Sequence, residues 1–190
     1  QMGPAAVEAL PQLLTMIGDR TISDDLRESA IRCVASFGPV AENAVGTLTG
    51  ILKSDDADPL IEASARALGS IGPAARDAES ILIEILRSED QLQQTRIAAA
   101  EALAAISPTS NRAVELLVEL LDQHDDPVFV ASLAGAIGEH GAAAATAVPR
   151  LVELIDATSD FERQSIIQAL GNIGPAAKQA TSRMIECLTE

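Results

Sequence analysis

The stretch ALGSIGPAARDA, residues 67–78, comes back 102 residues later as ALGNIGPAAKQA, residues 169–180. Two segments of one chain stay this alike when each must fit the same surroundings, as in an array of stacked units. The frame recurs more loosely elsewhere: GPAAVEA at 3–9, CVASFGPVAENA at 33–44, ALAAISPTSNRA at 102–113 and AIGEHGAAAATA at 136–147. Its anchor residues are Gly3, Gly38, Gly72, Ser107, Gly141 and Gly174, spaced 35, 34, 35, 34 and 33.

Each unit reads as two helices. Ahead of the anchor, DPLIEASARALGSI (58–71) places Leu60, Ser64, Ala67, Leu68 and Ile71 at spacings of three and four, the stripe of an amphipathic helix. Asp58 is the expected N-cap with Pro59 in the first turn, and Asp126 with Pro127 repeats the device. Gly72 and Pro73 end the helix, because glycine accepts a left-handed conformation and proline cannot continue the ladder. A second stripe follows each anchor: Leu10, Leu13, Leu14, Ile17, then Leu48, Ile51, Leu52, then Ile81, Leu82, Ile85, Leu86, then Leu116, Leu117, Leu120, Leu121, then Leu151, Val152, Leu154, Ile155. Pro11 and Pro149 mark possible starts of these leucine-rich helices, with the Gly-Pro-Ala-Ala segment a short turn before them.

One such pair cannot bury its apolar face alone and must stack on its neighbours. The pattern predicts five complete pairs and a sixth first helix over about 175–189, eleven helices in one all-α domain spanning 1–190. Its units run over about 3–37, 38–71, 72–106, 107–140, 141–173 and a half unit 174–190. With 47% hydrophobic but only 2% aromatic residues, the core must be built of closely packed Ala, Leu, Ile and Val.

Composition narrows function. Thirteen Lys and Arg stand against 28 Asp and Glu, a net charge of −15, and there is no Trp or Tyr. A nucleic-acid binder needs a basic face, and single-strand binders add aromatic platforms, so neither is expected. No run of 18 apolar residues and no signal-type N-terminus is present, which predicts a chain without a membrane span and favours the cytoplasm. The chain opens on Gln1 already inside the repeat, so it reads as a piece of a longer protein, and as a monomer.

Cys33 and Cys187 lie 154 positions apart, too many stacked units for a bond that needs Cα atoms within about 7 Å. Both read as free thiols, with Cys33 at the small buried position that other copies fill with Ala.

The second helices resemble the consensus of HEAT repeats, especially the short bacterial type named after phycobilisome lyases, which has the form V-R-x-x-A-x-x-A-L-G-x-I-G. Arg27, Arg96 and Arg163 match its arginine, and Ala67, Leu68, Gly69 and Ala169, Leu170, Gly171 match its core. The resemblance implies a right-handed α-α superhelix, a HEAT or armadillo-like solenoid of five and a half repeats. It also implies a ladder of Asp55, Asp90 and Asp156 with those arginines, interrupted where Ile61 and Val130 replace Arg. Such ion pairs have a structural role, worth about 0–1 kcal/mol each if exposed.

In that family the second helices line the concave surface, so the expected contact rows are Glu28, Glu62, Ile97, Ala131, Gln164, then Arg32, Arg66, Glu101, Gly135, Gln168, then Ser36, Ser70, Ala105, Glu139, Asn172. Glu28 with Arg32 and Glu62 with Arg66 form i, i+4 pairs. Ile97, Ala98, Ala105, Ala131 and Gly135 read as a smooth strip where a partner helix or extended peptide lies. The fourth unit departs most, with Phe129, Leu133 and His140; His140 reads as a core-edge histidine or a solvated helix end. His124 and His140 without paired cysteines make a poor metal set.

The acidic turns SDDADP (54–59), SED (88–90), DQHDDP (122–127) and DATSD (156–160) suit helix N-termini and steer a partner with a basic surface. No Ser/His/Asp set, P-loop, dinucleotide fingerprint or zinc signature is present, and no cofactor is implied. The expected function is a non-catalytic protein-interaction scaffold that binds on the concave surface. The alternatives are a chromophore-lyase-like subunit, as in phycobilin lyases, and a structural spacer.

Overall fold

The computed structural model describes residues 4–54, 56–158, 160–181 and 185. Among these residues the chain is all-α, as its periodicity predicts, and it divides into two compact units, Gln1–Ser107 and Pro108–Glu190. The first unit holds α1 (Pro4–Gly18), α2 (Asp24–Ser36), α3 (Val45–Leu52), α4 (Asp58–Ile71), α5 (Glu79–Arg87) and α6 (Gln93–Ile106). Each leucine-rich helix packs on the second helix of its own copy, α1 on α2, α3 on α4 and α5 on α6. The second helices pack in series, α2 on α4 and α4 on α6. The second unit repeats the scheme with α7 (Asn111–Gln123), α8 (Pro127–Glu139), α9 (Val148–Ala157) and α10 (Asp160–Ile173), where α7 packs on α8, α9 on α10 and α8 on α10.

The apolar stripes lie where the spacing puts them. Leu60, Ser64, Ala67, Leu68 and Ile71 of α4 are all buried, as are Leu116, Leu117, Leu120 and Leu121 of α7. In the fourth copy Phe129 and Leu133 fill the core with larger side chains. Phe129 meets the ring of His124 edge to face at 4.9 Å.

Four anchor glycines sit in the left-handed region, with φ of 58° at Gly38, 76° at Gly72, 55° at Gly141 and 72° at Gly174. This turn lets each second helix stop and a seven-residue 3-10 segment begin at once: Gly38–Ala44, Gly72–Ala78, Gly141–Ala147 and Gly174–Ala180. Ser107 cannot enter that region cheaply and takes φ −136°. No 3-10 segment follows it; α7 starts at Asn111, capped by the Ser110 hydroxyl, which accepts from the Ala113 amide at 3.3 Å. The boundary between the two units falls at this departure from Gly-Pro.

Several local expectations change. Asp126 caps α8, its carboxylate accepting from the Phe129 amide at 2.9 Å, but Ala57 holds the equivalent position on α4 and Asp58 lies inside the first turn. Pro149 lies in the first turn of α9, whereas Pro11 lies inside α1, which begins at Pro4. Residues 182–184 and 186–190 of the expected eleventh helix, and with them Cys187, lie outside the described residues.

Cys33 is exposed, not buried as its alignment with Ala predicts. Ala102 and Ala169, at the same place in their copies, are covered by Gly69 and Gly138 on the preceding second helix. Among the described residues α2 is the first second helix, so nothing of that kind lies over Cys33.

Candidate partner-binding site

In the first unit the second helices carry two adjoining clefts that share Arg66. One, of about 290 Å³, lies between α2 and α4 and is lined by Glu28, Arg32, Ala35, Pro59, Glu62, Ala63 and Arg66. The other, of about 370 Å³, lies between α4 and α6, with Gly69, Ser70, Glu101, Ala102 and Ala105 completing its wall. Small residues make the floor because the helices approach closely there, and charged side chains make the rim.

The rim is a chain of ion pairs. Arg32 pairs with Glu28 and Arg66 with Glu62, the latter at 3.2 Å, both on one helix face as the i, i+4 spacing predicts. Arg66 also reaches Glu101 on α6, a link between copies that i, i+4 reading within one helix does not reveal. Arg32 and Arg66 stay exposed while Glu28 and Glu62 are half-buried, so these pairs are screened and orient the rim more than they stabilise the fold.

The apolar part of the expected strip is corrected. Ile97, Ala98 and Ala131 are 4%, 0% and 6% exposed, so they are packed residues. Glu28 and Glu62 in the same row are half-buried, which places the row at the edge of the packing. A long glutamate reaches solvent from there, while Ile or Ala is covered. On α6 the burial runs through Thr95–Ala100 and Ala102–Ala104, as expected for a helix apolar on most sides. Glu101 remains exposed and Ala105 half-buried. In the second unit Gly135 is half-buried, and Glu139 and Gln168 are exposed, with the Gln168 amide donating to Asn172 at 3.0 Å.

The matched arginines do a structural task. Arg27 Nε donates to the Ile17 carbonyl at 2.9 Å, Arg96 Nε to Leu86 at 3.0 Å and Arg163 Nε to Ile155 at 3.1 Å. Each guanidinium thus ties the start of a second helix to the last turn of the first, satisfying a carbonyl that the helix end leaves open. The acids on Arg27 are Asp24 at 3.1 Å and Asp56 at 3.0 Å. Asp55, expected there, lies outside the described residues, as does the side chain of Asp156. The hydrogen bond from Arg27 holds the Asp56 carboxyl below the usual aspartate range, with Ser54 helping and burial opposing. Burial lowers the Arg96 pKa, and the charge of Glu89, next to the expected Asp90, works against it.

In the second copy Ile61 takes the arginine position, and Ser54 serves in its place, its hydroxyl 2.7 Å from the Ile51 carbonyl and also within reach of Asp56. His140 is a core-edge residue with Nδ1 3.1 Å from the Pro108 carbonyl, the geometry of an Nδ1–H donor.

Residues 47–138 match the family model described as HEAT repeats. That segment carries HEAT repeats. The same anchor glycine and carbonyl-binding arginine also occur outside the matched segment, at Gly38, Gly174, Arg27 and Arg163. The crystal structure of an engineered protein is similar over 96% of this chain and 53% of its own, at 25% identity and a TM-score of 0.64. This chain therefore spans about half the length of that protein. Comparison with curated proteins gives no match. HEAT repeats generally serve as protein-interaction scaffolds. Among the described residues no helix is long and apolar enough to cross a membrane, and no group of three His, Cys, Asp or Glu is placed to hold a metal ion.

Proposed function

We propose that the chain is a non-catalytic protein-interaction scaffold whose first unit seats a partner segment in the groove on α2, α4 and α6. The observation that carries this reading is the pair of adjoining clefts sharing Arg66, floored by Ala35, Ala63, Ala102 and Ala105. A small-residue floor admits a partner backbone closely, and a rim of alternating Glu and Arg offers hydrogen bonds to it. Glu28, Glu62 and Glu101 outnumber Arg32 and Arg66 on that rim, so the fitting segment is net basic.

A photo-crosslinker placed at Ser70, on the exposed wall of the second cleft, tests the site. The expected result is a discrete crosslinked protein that disappears in Glu62→Lys/Glu101→Lys, with the helical circular dichroism unchanged. Crosslinking unaffected by the charge reversal removes the groove from the reading. A chain that crosslinks nothing there serves as a spacer.

A further inference from the structure

The two clefts of the groove on α2, α4 and α6 differ in how their ion pairs run. In the first, among the described residues, each pair stays on a single helix, Arg32 with Glu28 on α2 and Arg66 with Glu62 on α4. In the second, Arg66 on α4 also pairs with Glu101 on α6, so a bond runs from one wall of the cleft to the other. The sequence explains the difference, because Arg32, Arg66 and Glu101 hold the same place in three successive copies. Arginine follows arginine across the first cleft, and glutamate follows arginine across the second. The same place holds Gly135 and Gln168 in the later copies, neither of which can form an ion pair.

The geometry lets Arg66 release one partner and keep the other. Its two bonds use different nitrogens, Nε donating to Glu62 at 3.2 Å and Nη1 to Glu101. Losing Glu101 therefore leaves in place the bond to Glu62, four residues back on the same helix. The Arg66 and Glu101 side chains are 43% and 46% exposed, so the bridge between them is screened, and an incoming cation replaces it at little cost. A segment without a cation has nothing to offset the loss of that bond.

We infer that Arg66 is a latch on the second cleft, and the residue that selects a basic segment over a neutral one; this rests on the groove being the partner site. In the empty protein the guanidinium ties Glu101 to Glu62 and bars the second cleft. A lysine or arginine of the occupant takes over Glu101, Arg66 keeps Glu62, and the two clefts become one path along the floor of Ala35, Ala63, Ala102 and Ala105. One ion pair forms for each one broken, so the latch works by penalising the wrong occupant and adds nothing for the right one.

The test is an NMR titration of the full 15N-labelled chain with two probes, acetyl-Ala-Lys-Ala-Ala-Lys-Ala amide and the same peptide with glutamine for lysine. It is read at the amides of Ser70 and Ala105, which line the second cleft. The wild type is expected to give saturable shifts with the lysine peptide and to bind the glutamine peptide about threefold to fivefold more weakly. Arg66→Gln and Glu101→Gln cut the bridge from opposite ends, and each should bind the glutamine peptide about threefold to fivefold more tightly than the wild type does. Arg32→Gln removes the same charge as Arg66→Gln from the same rim but leaves the bridge, so its affinity for the glutamine peptide should stay at the wild-type value. All three changes are at side chains that reach solvent, and the helical circular dichroism is expected to be unchanged. Glutamine-peptide affinities that are the same in all four proteins overturn the latch, and a lysine peptide that still saturates the wild type then leaves the groove reading standing. Equal gains in Arg32→Gln and Arg66→Gln mean that rim charge alone sets the affinity, and overturn it too. No saturable response to the lysine peptide in any of the four proteins removes the groove, and the latch with it.

Discussion

Gly138 and Ala169 touch so closely that a Cβ built on the glycine lies 2.7 Å from the Ala169 Cα. Gly69 meets Ala102 in the same way, with 3.1 Å between the built Cβ and the Ala102 Cα. These are the glycine at the third place of one copy's motif, A-I-G at 136–138 and A-L-G at 67–69, and the alanine at the first place of the next copy's, on helices that pack as α8 on α10 and α4 on α6. The two residues face each other across the interface between copies, which is why the motif returns: changing either breaks the fit.

Glycine to alanine at these sites therefore has a graded effect. In an open helix position the change stabilises by about 0.8–1 kcal/mol. Gly171, with nothing within 4 Å of a built Cβ, should show that gain. Gly138→Ala must instead displace backbone, and overpacking costs about 1–3 kcal/mol, so the net is a loss. Gly69→Ala falls between them. Urea denaturation of the three variants checks the order, and a stabilised Gly138→Ala contradicts the packing.

Among the structural arginines Arg27 has its side chain 3% exposed and is bonded to Ile17, Asp24 and Asp56. Arg27→Ala strands a half-buried carboxylate and a helix-end carbonyl, and is expected to cost about 3 kcal/mol or more. Arg27→Ala/Asp56→Ala should recover part of that loss, since the stranded charge is gone. A double-mutant cycle by chemical denaturation measures the coupling, and additive losses rule the pair out as a unit.

The same pair sets an acid dependence. Arg27 and Ser54 hold the Asp56 pKa below its ordinary value of 3.8. A depressed folded pKa means that the stabilisation is complete above the unfolded value and is lost as pH falls through the lower folded one. Between about pH 4 and pH 2 the wild type should lose stability more steeply than Asp56→Asn. Parallel pH profiles of the two proteins contradict this.

Much of this was legible in the chain because repetition and helix period are properties of spacing alone. Leu60, Ala67 and Leu68 fall on one face whatever surrounds them, and Glu28 with Arg32 needs only an i, i+4 step. What spacing does not carry is what another element brings. Arg66 meets Glu101 from 35 positions away, and Ile97 is closed over because its own side chain is too short to leave the packing edge. Cys33 is exposed because it has no glycine of a preceding copy over it, although its alignment matches buried alanines. Ile61 was visible only as a missing arginine; that Ser54 serves in its place depends on where the turn brings its hydroxyl.

Ser64 offers a stabilising change. It lies in the middle of α4, fully buried, and its hydroxyl has no hydrogen-bond partner among the described residues. The corresponding residues of the flanking copies are Ala30 and Ala99, both buried, so the site accepts a methyl group without rearrangement. A desolvated hydroxyl without a partner costs about 1–3 kcal/mol relative to a satisfied one, and alanine also has the higher helix propensity. Ser64→Ala should raise stability by about 1 kcal/mol and shift the denaturation midpoint upward without changing its slope. A lower midpoint would mean that the hydroxyl is satisfied in solution by a partner such as a buried water, and that its place in the core is held by that bond.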